Sequence, residues 1–191
     1  GGFAAEQAPT TFSQHKIVCI VFNHGVPEGV MPMIKTKTFS ILGGDPRQAH
    51  LANTLAGRED GYNIYAMMLW ESVKLNKKIV RVDDVKMILP QSDVVIFPLP
   101  LLDSRGAINA PGSQRKITLE ECLSYIHPEA CVLAGKVPAS ARELAAEKGV
   151  EIIDYLEREE FSILNAVPTA EGAVEIALRE LPITLYGATC L

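Results

Sequence analysis

The chain has 191 residues, 48% hydrophobic and 21% charged, with 18 Lys and Arg against 23 Asp and Glu and a net charge of −5. That is enough chain for one domain with a full core. Without a Lys/Arg cluster it does not read as a nucleic-acid binder, and without a long unbroken apolar run it does not read as a membrane protein.

Residues 1–37 are the least regular part. Ile17–Phe22 reads as a short β-branched strand, followed by the turn-rich Asn23–Gly29. The segment is taken as an N-terminal arm or extra strand, separate from a domain over 38–191, and no secretory signal is expected in it. From Thr38 the pattern becomes regular. Thr38–Leu42 is a predicted strand that runs into Gly43-Gly44-Asp45-Pro46-Arg47-Gln48, and a helix follows over about 46–57 with Ala49, Leu51, Ala52 and Leu55 as its apolar stripe. Asn63–Leu69 is the next strand, and a weak strand or short helix lies around Ile79–Leu89. Asp93–Phe97 is apolar throughout, as in a strand buried on both faces. Pro98-Leu99-Pro100 ends it, and a long loop runs to about Lys116.

Thr118 followed by Glu121 has the spacing of a capping box and opens a helix. Ala130–Ala134 is a strand, Pro138–Lys148 a helix closed by Gly149, and Glu151–Asp154 a short strand. Arg158–Asn165 is helical in pattern. Asn165-Ala-Val-Pro-Thr-Ala-Glu-Gly172 then begins another helix, with Pro168 at its first position and Thr169 and Glu171 in its first turn. Val174, Ala177, Leu178 and Leu181 would form its core-facing stripe, and Ile183–Tyr186 a last strand.

Strands alternating with helices predict an α/β domain: an open, doubly wound, mostly parallel sheet, Rossmann-like or flavodoxin-like, in three layers. In such a sheet ligands sit beyond the carboxyl ends of the strands. The loops 43–48, 98–116 and 135–138 all follow strands and should share that edge.

The candidate chemistry is a small-anion site. Gly43, Gly44, Asp45, Arg47 and Gln48 occupy the position of a nucleotide loop but lack the third glycine of G-x-G-x-x-G. The glycines allow close approach, and Arg47 or the helix N-terminus could meet a carboxylate. The plain alternative is a tight turn with Asp45 as helix cap. The expected helix start at Pro168 and Thr169 offers a second anion seat, with Asn165 and Glu171 as polar candidates for catalysis, and a capped core helix as its plain alternative. Arg105 and Lys136 are weaker candidates. The four cysteines, Cys19, Cys122, Cys131 and Cys190, form no C-x-x-C pair and read as reduced thiols of a cytoplasmic protein. His15, His24, His50 and His127 lack partners at metal spacing, so no metal site is predicted. Residues alone lead to a ligand-binding α/β domain and no further.

Phe39–Gln48, Asp93–Pro98, Tyr155–Phe161, Asn165–Gly172 and Ile183–Gly187 together resemble the dipicolinate synthase A-subunit family over about residues 38–191. The resemblance implies the N-terminal, substrate-side domain of a two-domain protein laid out like the 2-hydroxyacid dehydrogenases. The implied activity is pyridine-nucleotide-dependent oxidation of a dihydrodipicolinate-type intermediate to dipicolinate, on a branch of the lysine pathway, in the mother cell of a sporulating bacterium. The implied cofactor is NAD(P), held by a C-terminal domain that is expected to lie beyond Leu191, and none by this chain. The implied partners are a dicarboxylate and the synthase's B-subunit, and a homo-oligomer is compatible with the sequence. Gly43, Gly44, Asp45, Arg47, Gln48, Pro168 and Thr169 are the expected substrate-binding residues, with the catalytic ones undecided between Asn165 and Glu171. Two other readings stand beside this one: a non-catalytic dimerisation or subunit-docking module, and a stand-alone nucleotide-binding flavodoxin-like protein.

Overall fold

The computed structural model describes residues 37–58, 61–182 and 184–187. The predicted strand Ile17–Phe22 and the rest of the arm lie outside the described residues. The chain divides into two compact units, residues 1–156 and 157–191.

The first unit holds a six-stranded sheet made of β1 (Thr38–Leu42), β2 (Asn63–Met67), β3 (Ile79–Arg81), β4 (Val94–Ile96), β5 (Cys131–Ala134) and β6 (Ile152–Asp154). Its strand order is β3-β2-β1-β4-β5-β6, and all five pairings are parallel. The order reverses between β1 and β4, which is the switch point of a doubly wound fold. Among the described residues of this unit the α-helices are α1 (Pro46–Ala56), α2 (Val85–Ile88), α3 (Leu119–Leu123) and α4 (Ala139–Glu147).

Strand alternation sorts the core into two layers. Phe39 and Ile41 of β1 and Val94 and Ile96 of β4 pack with Ala49, Ala52 and Leu55 of α1. Leu42, Val95 and Val132 face the other way, onto Val85 and Ile88 of α2, Cys122 of α3 and Ala141 and Ala145 of α4. Helices thus cover both faces, as the strand–helix alternation predicts. Ser40 is the polar exception in β1. Its hydroxyl lies 2.6 Å from that of Ser92, which donates to the Ile88 carbonyl at 2.7 Å, so Ser40 is the donor between the two. Burial of the pair is therefore compatible with full hydrogen bonding.

The helix starts follow local chemistry. Asp45 accepts from the Arg47 N–H, Asp84 from the Lys86 N–H, and Thr118 from the Glu121 N–H at 3.1 Å, the capping half that the Thr118/Glu121 spacing predicts. The predicted β2 ends two residues early. Met68 takes a left-handed backbone (φ 56°), which stops the strand.

The second unit corrects three expectations. Residues Glu159–Glu180 form one continuous helix, α5, with Pro168 in its interior. There is no helix start at Pro168, so Thr169 and Glu171 occupy no first turn. Proline lacks the N–H that would bond the Leu164 carbonyl and its ring crowds that carbonyl, yet the helix runs through it. Thr169 donates its hydroxyl back to the Asn165 carbonyl at 2.8 Å, as a helix-interior threonine does. Nor does the predicted stripe face a core. Val174, Leu178 and Leu181 are 47%, 58% and 47% exposed, and Phe161 is the buried residue of α5. Helical spacing fixes which residues share a face but not what covers it. Finally, the described residues of the predicted last strand, Thr184, Leu185 and Tyr186, are coil and turn; Tyr186 is 97% exposed.

Pro168→Ala should restore the missing bond and strengthen α5 by up to about 3 kcal/mol. The expected readout is slower hydrogen exchange at the amides of residues 164–172. Unchanged exchange there would show that the proline costs this helix nothing.

Candidate functional site

The carboxyl ends of β1, β4 and β5 carry the loops that the sequence singles out, and the structure brings them together. Gly43 and Gly44 both have positive φ, 62° and 91°. The Gly43 N–H donates to the Met67 carbonyl at 2.9 Å, and the Gly44 N–H to the Asn109 carbonyl at 2.7 Å. A Cβ on Gly43 would stand 2.7 Å from that same Asn109 oxygen, and one on Gly44 would stand 2.7 Å from Gln48 Cβ. Only glycine allows the long loop to rest directly on the β1 turn.

Asp45 and Arg47 use this turn differently from an open anion seat. The Asp45 carboxylate accepts from the Arg47 backbone N–H at 2.9 Å, and from Nε and Nη2 of the same side chain at 2.9 and 2.7 Å. Partial burial by itself would raise the Asp45 carboxyl. The hydrogen bonds and charge of Arg47 outweigh it and hold the group below the ordinary carboxylate range. A carboxylate of the chain itself therefore sits at the start of α1, where a pyrophosphate would sit in a dinucleotide fold. The residues present do not fit a dinucleotide there. Arg47 is half-committed: its fork is engaged through Nε and Nη2.

Gln48 is buried and donates Nε2 to the Ile96 carbonyl at 3.3 Å. It ties α1 to the end of β4 across the switch point. The loop after β4 returns over β5. The Gly135 N–H donates to the Pro98 carbonyl, and the Leu101 N–H to the Gly135 carbonyl at 2.9 Å. Leu99 and Tyr155 close over Gly135, where a Cβ would lie 2.8 Å from each side chain.

Sequence reasoning missed the three residues that organise this edge: Asn109, Asp154 and Tyr155. Asp154 ends β6 with its side chain buried. It accepts from the backbone N–H groups of Lys136 (3.1 Å), Val137 (2.7 Å) and Leu156 (2.9 Å), and Arg142 approaches at 3.4 Å. This explains how Lys136, one of the weaker candidates, holds a left-handed backbone (φ 54°). The sequence signal was a lone acid ending a short apolar strand, Ile152-Ile153-Asp154. Tyr155 is half-buried, and that burial pushes its phenol up, with Arg47 pulling it partly back. At neutral pH it is a hydrogen-bonding hydroxyl and no base. Arg105 lies exposed at the tip of a turn that Asp103 ties together through the Arg105 and Ala107 N–H groups.

Asn165, Pro168, Thr169 and Glu171 lie in the second unit, on α5. Asn165 is half-buried and the other three are exposed. Among the described residues no three His, Cys, Asp or Glu side chains gather to hold a metal ion, and no helix is long and apolar enough to cross a membrane. Burial pushes the Cys122 thiol up to about 12, leaving it inert.

Residues 38–156, nearly the whole described part of the first unit, match the family model of the dipicolinate synthase A-subunit N-terminal domain. The chain is similar to the dipicolinate synthase A-subunit of Bacillus subtilis, 23% identical over 162 residues that cover 82% of this chain and 52% of the relative. The crystal structure of this A-subunit from Bacillus subtilis superposes with a TM-score of 0.66 at 21% identity, over 79% of this chain and 50% of that one. The crystal structure of the dipicolinate synthase A-subunit from Bacillus halodurans gives 0.70 at 20% identity, over 81% and 52%. The chain thus spans about half the length of these relatives, and the likeness to the two crystal structures establishes the Rossmann-like fold.

Gly43→Ala should cost about 2 kcal/mol or more, since it meets both a positive φ and the Asn109 carbonyl. Asp154→Ala should cost a comparable amount, about 1–3 kcal/mol for each N–H left buried without an acceptor. Urea denaturation checks both. Asp45 adds a pH dependence. Because its folded pKa is lowered, its contribution is present above the ordinary carboxylate range, near pH 4, and is lost as pH falls through the lowered value. Asp45→Asn should flatten that acid limb, and an unchanged limb would mean that other carboxylates set it.

Proposed function

The chain belongs to the dipicolinate synthase A-subunit N-terminal domain family, and from that premise we propose that it is the substrate-side domain of an oxidoreductase that makes dipicolinate. Its task in this reading is to hold a dihydrodipicolinate-type dicarboxylate at the carboxyl edge of its sheet. The observation that carries the reading is the convergence of the loops after β1, β4 and β5 on that one edge, fixed by the Gly44–Asn109 and Leu101–Gly135 backbone bonds. Gly43, Gly44 and Gln48 form the floor, and Asp45 orients Arg47 at its rim. Asn165 and Glu171, on α5, are this reading's polar candidates for catalysis.

Aromatising a dihydropyridine ring removes a hydride and a proton, so a two-electron acceptor is needed. Asp45 fills the start of α1, so the reading places NAD(P) on a separate domain. In this reading the setting is the cytoplasm of a sporulating mother cell, with the synthase's B-subunit for partner.

A second reading is favoured by one observation. Ile163, Val167, Val174 and Leu178 are all about half exposed or more on a single 22-residue helix. Such a run fits a dimerisation or subunit-docking surface.

Two measurements follow. Calorimetric titration of this chain with dipicolinate, and separately with NADP, should show binding of dipicolinate alone. NADP binding would overturn the assignment of the Gly43–Gln48 turn. Sedimentation equilibrium tests the second reading. A dimer abolished by Leu178→Glu would support it, and a monomer at every concentration would remove its homodimeric form.

A further inference from the structure

The edge that carries the β1 turn extends past β1 to the ends of β2 and β3, and there it opens into a cleft of about 420 Å³. The long loop forms one wall. Gly112 lies so close to the Trp70 ring that a Cβ would stand 2.6 Å from it. That contact lays residues 113–115 over the cleft, and the turn is fixed by the Ser113 N–H to the Ala110 carbonyl and the Arg115 N–H to the Ser113 hydroxyl, both at 3.1 Å. The other wall is β3 and the residues after it, whose register on β2 is held by the Val82 N–H to the Ala66 carbonyl at 3.0 Å.

Charges of both signs line this cleft: Arg81 and Arg115, Glu71 and Asp83. None of the four side chains makes an ion pair or a side-chain hydrogen bond to any described residue. That contrasts with Arg47, whose fork closes on its own Asp45, and with Arg142 and Lys116, which reach Asp154 and Asp103. Two uncommitted guanidiniums facing one volume are suited to a ligand with two carboxylates, each taken by a fork. The Glu71 and Asp83 carboxylates and the Gln114 amide beside them can accept from an N–H or O–H of the same ligand. The volume lies within the range of small-ligand sites.

We propose that this cleft, and not the Gly43–Gln48 turn, supplies the carboxylate contacts for the substrate: Arg81 and Arg115 each bind one carboxylate of a small dicarboxylate that also carries a nitrogen- or oxygen-bound hydrogen. The proposal rests on the substrate-side reading above and locates its ligand. It adds the β2–β3 half of the edge to the site and reduces Arg47 to a rim charge.

The test is calorimetric titration of dipicolinate into this chain and its variants, with picolinate as the single-carboxylate control. Arg81→Ala and Arg115→Ala should each weaken dipicolinate binding about tenfold or more, the size expected for losing a charge-assisted fork. Arg115→Lys should recover only part of the loss, and Arg47→Ala should lose less than either. Picolinate should bind the wild type about tenfold or more weaker than dipicolinate, and the Arg81 and Arg115 variants should narrow that gap. Both arginines are exposed and make no side-chain bond within the described residues, so the variants should fold, and circular dichroism checks that they do. If dipicolinate binds the Arg81 and Arg115 variants as it binds the wild type, the clamp is overturned. Loss confined to Arg47→Ala would overturn it too, while leaving the substrate-side reading intact. A wild-type chain that binds no dipicolinate at millimolar concentration overturns both.

Discussion

The contact between the Asn109 carbonyl and the Gly43–Gly44 backbone is the constraint on which the carboxyl edge depends. It pins the middle of a loop that leaves β4, crosses the ends of β1 and β2, and reaches α3. A side chain at Gly43 would push that loop outward and unseat both of its halves. On one side lie Leu99 and Leu101, packed and bonded to Gly135; on the other lies the Gly112 contact with Trp70. Because a single peptide group serves as the anchor point, the floor of the β1 turn and the wall of the β2–β3 cleft are mechanically one object. A loop with almost no secondary structure of its own is held in this way: its backbone groups pair with one another, as Asn109 with Leu101 and Asp103 with Ala107, and with the turns at the strand ends through Gly44 and Gly135.

Much of the fold was legible because local chemistry and hydrophobic period agree. Phe39–Leu42 and Val94–Phe97 are buried on both faces, with Ser40 the one polar side chain among them, and only the interior strands of a parallel sheet are buried that way. Asp45 and Thr118 stand where helix caps must stand. The site was less legible. Gly43, Gly44 and Asp45 are visible as turn chemistry, but nothing local tells that Asp45 closes onto Arg47, two residues away, so the sequence overstated that arginine as a free cation. Asp154 and Tyr155 act on partners far along the chain, Lys136–Val137 and Gly135. Arg81 and Arg115 are ordinary surface arginines until the fold sets them around one cavity. Through-space relations of this kind leave no periodic trace.

The Asn165–Gly172 stretch shows the opposite error. Its residues looked special because proline and threonine favour helix starts, and that preference is real but worth only a few kcal/mol. The chain nevertheless runs through Pro168 as one helix. The apolar residues beyond it then lie open to solvent on α5. Residue identities at a helix start and in a helix interior can look alike, because structure depends on the balance of energies along the whole segment.

Trp70 has one more consequence. It is the chain's single tryptophan, and its ring is held against Gly112 at the root of the cleft wall. The protein's ultraviolet-excited emission above the tyrosine band therefore comes from this one position. The chain carries an intrinsic optical gauge of the placement of the Gly112 turn, so that a shift in colour or quenching would speak for the β2–β3 corner of the sheet.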